Sequence, residues 1–98
     1  MQLYMLTTTF PNGMLESREF VNTNGKARQA YRDATPSFEI LASYKIGSDK
    51  TMDIVQAASD SEAHQAANAI AEATATKVEL NQITTYNAHM SKLRASAA

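Results

Sequence analysis

Residues 38–75 restrict the fold more tightly than any other part of the sequence. Residues 38–46 alternate between apolar and more polar side chains, residues 47–50 have the composition of a turn, and residues 51–58 form a second apolar run. Successive side chains of a strand point to opposite faces, so the first segment predicts a strand with one well-buried face. That face comprises Phe38, Ile40, Ala42, Tyr44 and Ile46. Because the turn is so short, the two strands are expected to pair antiparallel.

A helix is predicted directly after the second strand, from Asp60 to about Ala75. Ser59 and Glu62 have the spacing of a capping box, in which each side chain bonds the backbone N–H of the other residue. The apolar side of this helix consists mostly of alanine, the best helix former. Because alanine side chains are small, we expect this helix to lie close to a sheet.

The remaining elements flank this block on both sides. Residues 2–10 predict a strand with apolar side chains on both faces, as in a central strand. Residues 14–34 predict a helix that is interrupted at residues 22–25, where the sequence Asn-Thr-Asn-Gly breaks the apolar pattern. Residues 77–86 predict a more polar strand, which is typical of a sheet edge, and residues 87–97 a short terminal helix.

The predicted order of elements is β-α-β-β-α-β. This order defines the ferredoxin-like fold, an α+β architecture with two helices on one face of a four-stranded antiparallel sheet. The first and third strands are expected at the centre of the sheet. A length of 98 residues suits one domain. We assign residues 1–86 to this domain and residues 87–98 to a short C-terminal helix or tail.

The helix-free face of such a sheet combines apolar and polar side chains. It is predicted to present Leu3, Met5, Leu41 and Ile83 beside Ser43, Asn81 and Thr85. A contiguous apolar patch usually marks an interface, and a second copy of the chain would bury it. We therefore expect a homodimer formed through this face, with a higher oligomer as an extension of it. The alternative is a monomer whose half-polar face is exposed.

Three segments of the chain resemble the GYD-domain family of the dimeric α+β barrel superfamily: residues 44–47, residues 52–57 and residues 59–63, with sequences Tyr-Lys-Ile-Gly, Met-Asp-Ile-Val-Gln-Ala and Ser-Asp-Ser-Glu-Ala. Gly47 matches the glycine that names the family, but Asp49 and Lys50 stand where the family has Tyr-Asp. The resemblance implies a dimeric α+β barrel and no particular reaction. The wider superfamily includes cofactorless monooxygenases, lactone isomerases and haem-binding relatives, and none of their catalytic residues can be matched to a position here.

The net charge of −1 and the absence of cysteine exclude several classes of protein. A chain without excess positive charge has no long-range attraction for nucleic acid or anionic lipid. Without thiolates there is no cysteine-based metal site or nucleophile. The start of the chain lacks the basic residues of a signal peptide, and no apolar run is long enough to span a bilayer. We therefore expect a cytoplasmic protein that binds neither nucleic acid nor membrane and carries no cofactor or metal.

Six residues are candidates for a ligand site between the sheet and the helices: Tyr4, Tyr31, Phe38, Tyr44, His64 and Tyr86. Three of the tyrosines are predicted on strands, and the aromatic residues either line a cavity or are ordinary core residues. His64 is either an acid–base group or a surface residue. Asp53 is either a general base or the partner of Lys45 or Lys50 across the hairpin.

Two functions are the leading hypotheses, and no catalytic motif separates them. A third, action only inside a larger assembly through the exposed sheet edges, is also compatible with the sequence. The first is a small-ligand-binding or accessory module that holds a small apolar ligand between the sheet and the helices. The alternative is a cofactorless enzyme of the monooxygenase or isomerase type that uses the same space. The contents of that space distinguish the two, because an enzyme needs a polar group positioned beside a sizeable apolar pocket.

Overall fold

Over its described residues, the chain folds as an antiparallel sheet of four strands with three α-helices, in the ferredoxin-like order that the sequence predicts. The computed structural model describes residues 1–96. The elements are β1 (Gln2–Thr9), a 3-10 turn (Met14–Glu16), α1 (Glu19–Ala34), β2 (Glu39–Ile46), β3 (Lys50–Ala57), α2 (Asp60–Thr74), β4 (Lys77–Ile83) and α3 (Tyr86–Ser96). None of the helices within residues 1–96 combines the length and the apolar character needed to cross a bilayer.

The strands lie in the order β2-β3-β1-β4, and every neighbouring pair is antiparallel. The central positions of the first and third strands and the edge position of the fourth are therefore confirmed. β1 pairs with β3 along one edge and with β4 along the other. The turn between β2 and β3 contains Gly47 with a φ of 63°, in the left-handed region that glycine adopts without a steric cost.

The core lies between the sheet and the helices α1 and α2. On the sheet, Tyr4, Leu6 and Val55 are fully or almost fully buried. On α2 the buried residues are Ala63, Ala66, Ala67 and Ile70. α1 buries only Tyr31, so the two helices contribute very unequally to the core. The alanine-rich face of α2 accordingly packs close to the sheet, as the sequence predicts.

β2 contains a bulge that the regular alternation of its sequence did not predict. Ile40 pairs with Val55 and Ala42 with Ile54, so Leu41 is an extra residue without a partner in the ladder. An extra residue reverses the face of every side chain that follows it. Phe38 and Ile40 therefore face the core, whereas three residues predicted to share their face lie on the opposite, helix-free side: Ala42, Tyr44 and Ile46. In exchange, the second half of β2 turns two polar side chains toward the helices, Ser43 and Lys45.

Two predicted element boundaries are wrong. The first helical segment breaks at Ser17, which is extended, and α1 then continues without interruption through Gly25. A glycine inside a helix costs about 1 kcal/mol relative to alanine, and the packing of α1 against α2 outweighs this cost. The fourth strand ends at Ile83, so Tyr86 begins α3 and does not lie on a strand. The predicted C-terminal end of this helix, residue 97, lies outside the described residues.

Only half of the predicted capping box is formed at the start of α2. The Glu62 backbone N–H donates to Ser59 Oγ at 3.2 Å, as predicted. The Glu62 carboxylate instead accepts a hydrogen bond from Ser37 Oγ at 3.0 Å. The same Ser37 hydroxyl oxygen accepts from the Ala58 backbone N–H at 3.3 Å. Ser37 precedes β2 and Ala58 follows β3, so these hydrogen bonds connect the start of α2 to the hairpin formed by β2 and β3.

We expect Ser59→Ala to lower the free energy of unfolding by about 1 kcal/mol, because an alanine cap leaves an N–H at the start of α2 without its acceptor. The matched control is Ser61→Ala, an exposed position in the first turn, where a change within about 0.5 kcal/mol is expected. Urea denaturation of both variants measures the difference. Equal losses in the two variants would show that the cap contributes no specific stability.

Candidate functional site

A cleft with a volume of about 480 Å³ lies between α1 and the sheet. It exists because α1 packs closely against α2 rather than against any strand, whereas α2 packs against β1, β3 and β4. The space beneath α1, over β2 and the adjoining end of β3, is consequently left open. Its apolar lining includes Leu6, Phe10, Phe20, Tyr31, Ile40 and Ile70.

Aromatic rings shape the apolar part of the cleft. Phe10, just beyond β1, and Phe20, in the first turn of α1, meet edge to face with ring centroids 5.3 Å apart. Tyr31 reaches the cleft from the last turn of α1, and its ring lies 5.1 Å from that of Phe38. Large aromatic side chains in these contacts hold α1 away from the strands, which preserves the open volume.

Asp53 supplies the acidic group of the cleft. It lies on β3, with Leu6 of β1 on one side and Ser43 of β2 on the other. Burial raises the pKa of the Asp53 carboxyl above its ordinary value, and hydrogen bonding to Ser43 offsets part of the rise. The half-buried carboxyl is therefore easier to protonate than an exposed aspartate.

No lysine, arginine or histidine within residues 1–96 forms an ion pair with Asp53. The predicted pairing across the hairpin is therefore wrong. Lys45 Nζ lies 2.8 Å from Glu16 Oε1 of the 3-10 turn, and this contact draws the ammonium group toward the cleft rim. Lys50 pairs in register with Ile46 and Thr9 on the helix-free face, which is the opposite side of the sheet from Asp53.

Of the six residues predicted to form a ligand site, the cleft brings together two. Tyr31 lines it from α1. Tyr44 borders it from the edge strand β2, although its side chain belongs to the helix-free face and the residue is 56% exposed. Phe38 is buried behind Tyr31 and belongs to the core. Tyr4 is also a core residue; its hydroxyl donates to Gln2 Oε1 at 2.5 Å and lies 3.3 Å from Asp60 Oδ1. Burial, with a smaller effect of the Asp60 charge, raises the pKa of the Tyr4 phenol.

The last two predicted residues lie away from the cleft. His64 is exposed on α2, where its Nε2 lies 3.5 Å from Asp60 Oδ2. Tyr86 is 75% exposed on α3, a helix that packs closely against none of the other elements within the described residues. No group of three or more metal-ligating side chains gathers in residues 1–96.

Sequence reasoning missed most of the residues that surround the cleft. The position of Phe10 could be inferred from the sequence, because it lies an even number of residues from Tyr4 and Leu6, which are on the helix side of β1. The position of Ser43 could not be inferred, since it depends on the bulge at Leu41. Arg28 of α1 also lines the cleft, and its contribution depends on how far α1 stands from the sheet.

The fold and the cleft together define the class of this protein: a ferredoxin-like α+β domain with a half-apolar cleft under its first helix. No family model matches the chain, and no curated protein matches it. Among solved structures, the "REP associates tyrosine transposase bound to a REP hairpin" is similar, with a TM-score of 0.56 and 12% sequence identity. The match covers 93% of this chain but only 61% of the transposase chain. At this identity the likeness establishes the fold alone.

We expect Asp53→Asn to become progressively more stable than the wild type as the pH rises. The unfolded chain binds the Asp53 proton with a pKa of about 3.9, and the folded chain binds it more tightly. The wild type therefore loses stability as the pH rises from below the unfolded pKa through the folded pKa, and the asparagine variant does not undergo this loss. Urea denaturation between about pH 3 and pH 7 measures the difference between the two proteins.

Asp33→Asn is the matched control, because Asp33 is exposed in the last turn of α1 and lies outside the cleft. Burial acts on the carboxyl of Asp53 and not on the exposed side chain of Asp33, so the rise should be larger for Asp53→Asn than for this control. If the difference in unfolding free energy between Asp53→Asn and the wild type did not change with pH, this result would contradict the burial of the carboxyl.

Proposed function

We propose that the protein is a small-ligand-binding module whose cleft holds a small, largely apolar molecule. The observation that carries this proposal is the cleft itself, with about 480 Å³ of space beneath α1. Small-molecule sites usually measure about 300–1,000 Å³ and combine an apolar lining with a few placed polar groups. The aromatic walls and the single carboxyl of Asp53 fit that description.

We also propose that two copies associate through the helix-free face of the sheet, in the manner of the dimeric α+β barrels that the sequence resembles. The bulge in β2 adds Tyr44 and Ile46 to this face, and their residues are 56% and 47% exposed. The neighbouring strands contribute Leu3, Met5, Met52, Ile54 and Ile83. Self-association would remove this contiguous apolar surface from water.

A cofactorless enzyme of the monooxygenase or isomerase type is the second candidate, and Asp53 is the observation that favours it. A carboxyl whose pKa is raised by burial in an apolar cleft is suited to take a proton from a bound substrate. Such an enzyme also needs a group that stabilises the developing negative charge. Arg28 is the cleft residue of suitable charge that is not engaged by Glu16.

Nucleic acid is not part of this proposal. The transposase that shares the fold was solved with a REP hairpin, but at 12% identity that partner does not transfer to this chain. The net charge of −1 also gives this chain no general attraction for a phosphate backbone.

We expect small aromatic and lactone compounds to bind in the cleft, and Asn24→Phe to weaken this binding at least tenfold by narrowing the space. The matched control is Asn22→Phe, which makes the same change at an exposed position of α1 outside the cleft. NMR titration of the labelled full-length chain locates the bound compound through the amide signals of residues that line the cleft. If no compound shifts those signals, the ligand-binding function is wrong.

We expect Ile54→Glu to convert a dimer into a monomer, because the change places a charge at the centre of the helix-free face. Sedimentation velocity at micromolar concentrations measures the change, and circular dichroism verifies that the variant folds. Ala73→Glu adds the same charge at an exposed position of α2 and should remain dimeric. A wild-type protein that sediments as a monomer under these conditions would rule out the proposed interface.

A further inference from the structure

Within residues 1–96 the half-buried carboxyl of Asp53 has no ion-pair partner, and its neighbours in the sheet include the apolar Leu6 and the hydroxyl-bearing Ser43. It is flanked by Leu6 of β1 in the ladder and followed by the buried Val55 on its own strand. Charged groups removed from water are usually paired, because desolvation without a partner is costly. Residues 1–96 supply no ion pair to this carboxyl. Ser43 is a neutral hydrogen-bonding neighbour, so a cationic partner for the carboxylate would come from a bound molecule.

The charged groups around the cleft determine which partner fits. Lys45 of β2 also lines the cleft, and its Nζ lies 2.8 Å from Glu16 Oε1, so it pairs with that carboxylate and not with Asp53. Arg28 lines the cleft from α1, across from the strands, and forms no ion pair within the described residues. α2 contributes only the apolar Ile70. Among the described lining residues, Asp53 is therefore the acidic group on the sheet side of the cleft, and Arg28 is a positive group on the facing helix.

We propose that Asp53 anchors the cationic nitrogen of a ligand, so that the cleft selects small amines with an aromatic or aliphatic body. This inference rests on the proposed ligand-binding function and specifies its ligand class. An ammonium group would form a charge-assisted hydrogen bond with the carboxylate, and the adjacent Ser43 hydroxyl would accept a second one. The apolar body would contact the aromatic lining, where the faces of Phe10, Phe20 and Tyr31 also attract a cation.

Three probes of nearly equal shape test this selectivity: 2-phenylethylamine, 2-phenylethanol and phenylacetate. Each is titrated into the labelled full-length chain at neutral pH, and dissociation constants are taken from the amide signals of the cleft residues. We expect the amine to bind about tenfold or more tightly than the alcohol, because hydrogen bonds to a charged group are stronger than those between neutral groups. Phenylacetate should bind most weakly, because its charge has the same sign as that of Asp53.

Variants separate recognition from structure. Asp53→Asn keeps the shape of the side chain and should abolish the preference for the amine over the alcohol. Asp33→Asn removes an equal charge outside the cleft and should preserve it. Arg28→Gln removes the facing positive charge and should strengthen amine binding severalfold. A merely structural role of Asp53 would change the stability of the variant but not the order of the three probes.

The outcomes distinguish this inference from the function on which it rests. Equal affinity for the amine and the alcohol, or an amine preference that survives Asp53→Asn, overturns the selection of amines and leaves a cleft that binds apolar molecules. If none of the three probes, nor any aromatic or lactone compound, affects the cleft signals, the ligand-binding function itself is overturned. A tenfold preference for the amine over the alcohol that is lost only in Asp53→Asn supports both the ligand-binding function and the selection of amines.

Discussion

The pairing of β1 along both of its edges is the constraint on which the rest of the structure depends. β3 and β4 both align antiparallel to it, so its register fixes theirs. The helix side of β1 carries Tyr4, Leu6 and Thr8, whose residues are at most 3% exposed. A shift by one residue would move all three to the helix-free face and bring Leu3 and Met5 into the core. The burial of one face therefore specifies the register of the whole sheet.

The unequal packing of the two core helices creates the cleft on this sheet. α2 presents alanines, and small side chains allow its backbone to approach the strands. α1 presents Phe20 and Tyr31, which extend toward the sheet and keep the backbone at a distance. The cleft thus results from the size of a few side chains, and both helices still occupy the positions that the fold requires. A cleft of this kind can arise without any change in topology.

The bulge at Leu41 gives each face of the sheet its chemical character. It places the Ser43 hydroxyl beside Asp53 in the cleft and moves Tyr44 and Ile46 to the helix-free face. One extra residue in an edge strand thus places a polar side chain in the cleft and enlarges the apolar surface on the helix-free face. Bulges are common at sheet edges and beside functional sites, where they redirect side chains.

The elements, their order and the central strands follow from patterns within the sequence. Hydrophobic periodicity, turn residues and the Ser59 cap are local signals, and local signals identify β1, the hairpin and α2 within a few residues. The set of residues that surround the cleft follows instead from contacts made in the folded molecule. The bulge and the distance between α1 and the sheet depend on contacts between segments far apart in the chain, and no pattern within one segment encodes them. For the same reason Asp53 could be suspected from its type, but the absence of an ion-pair partner within residues 1–96 became evident only in three dimensions.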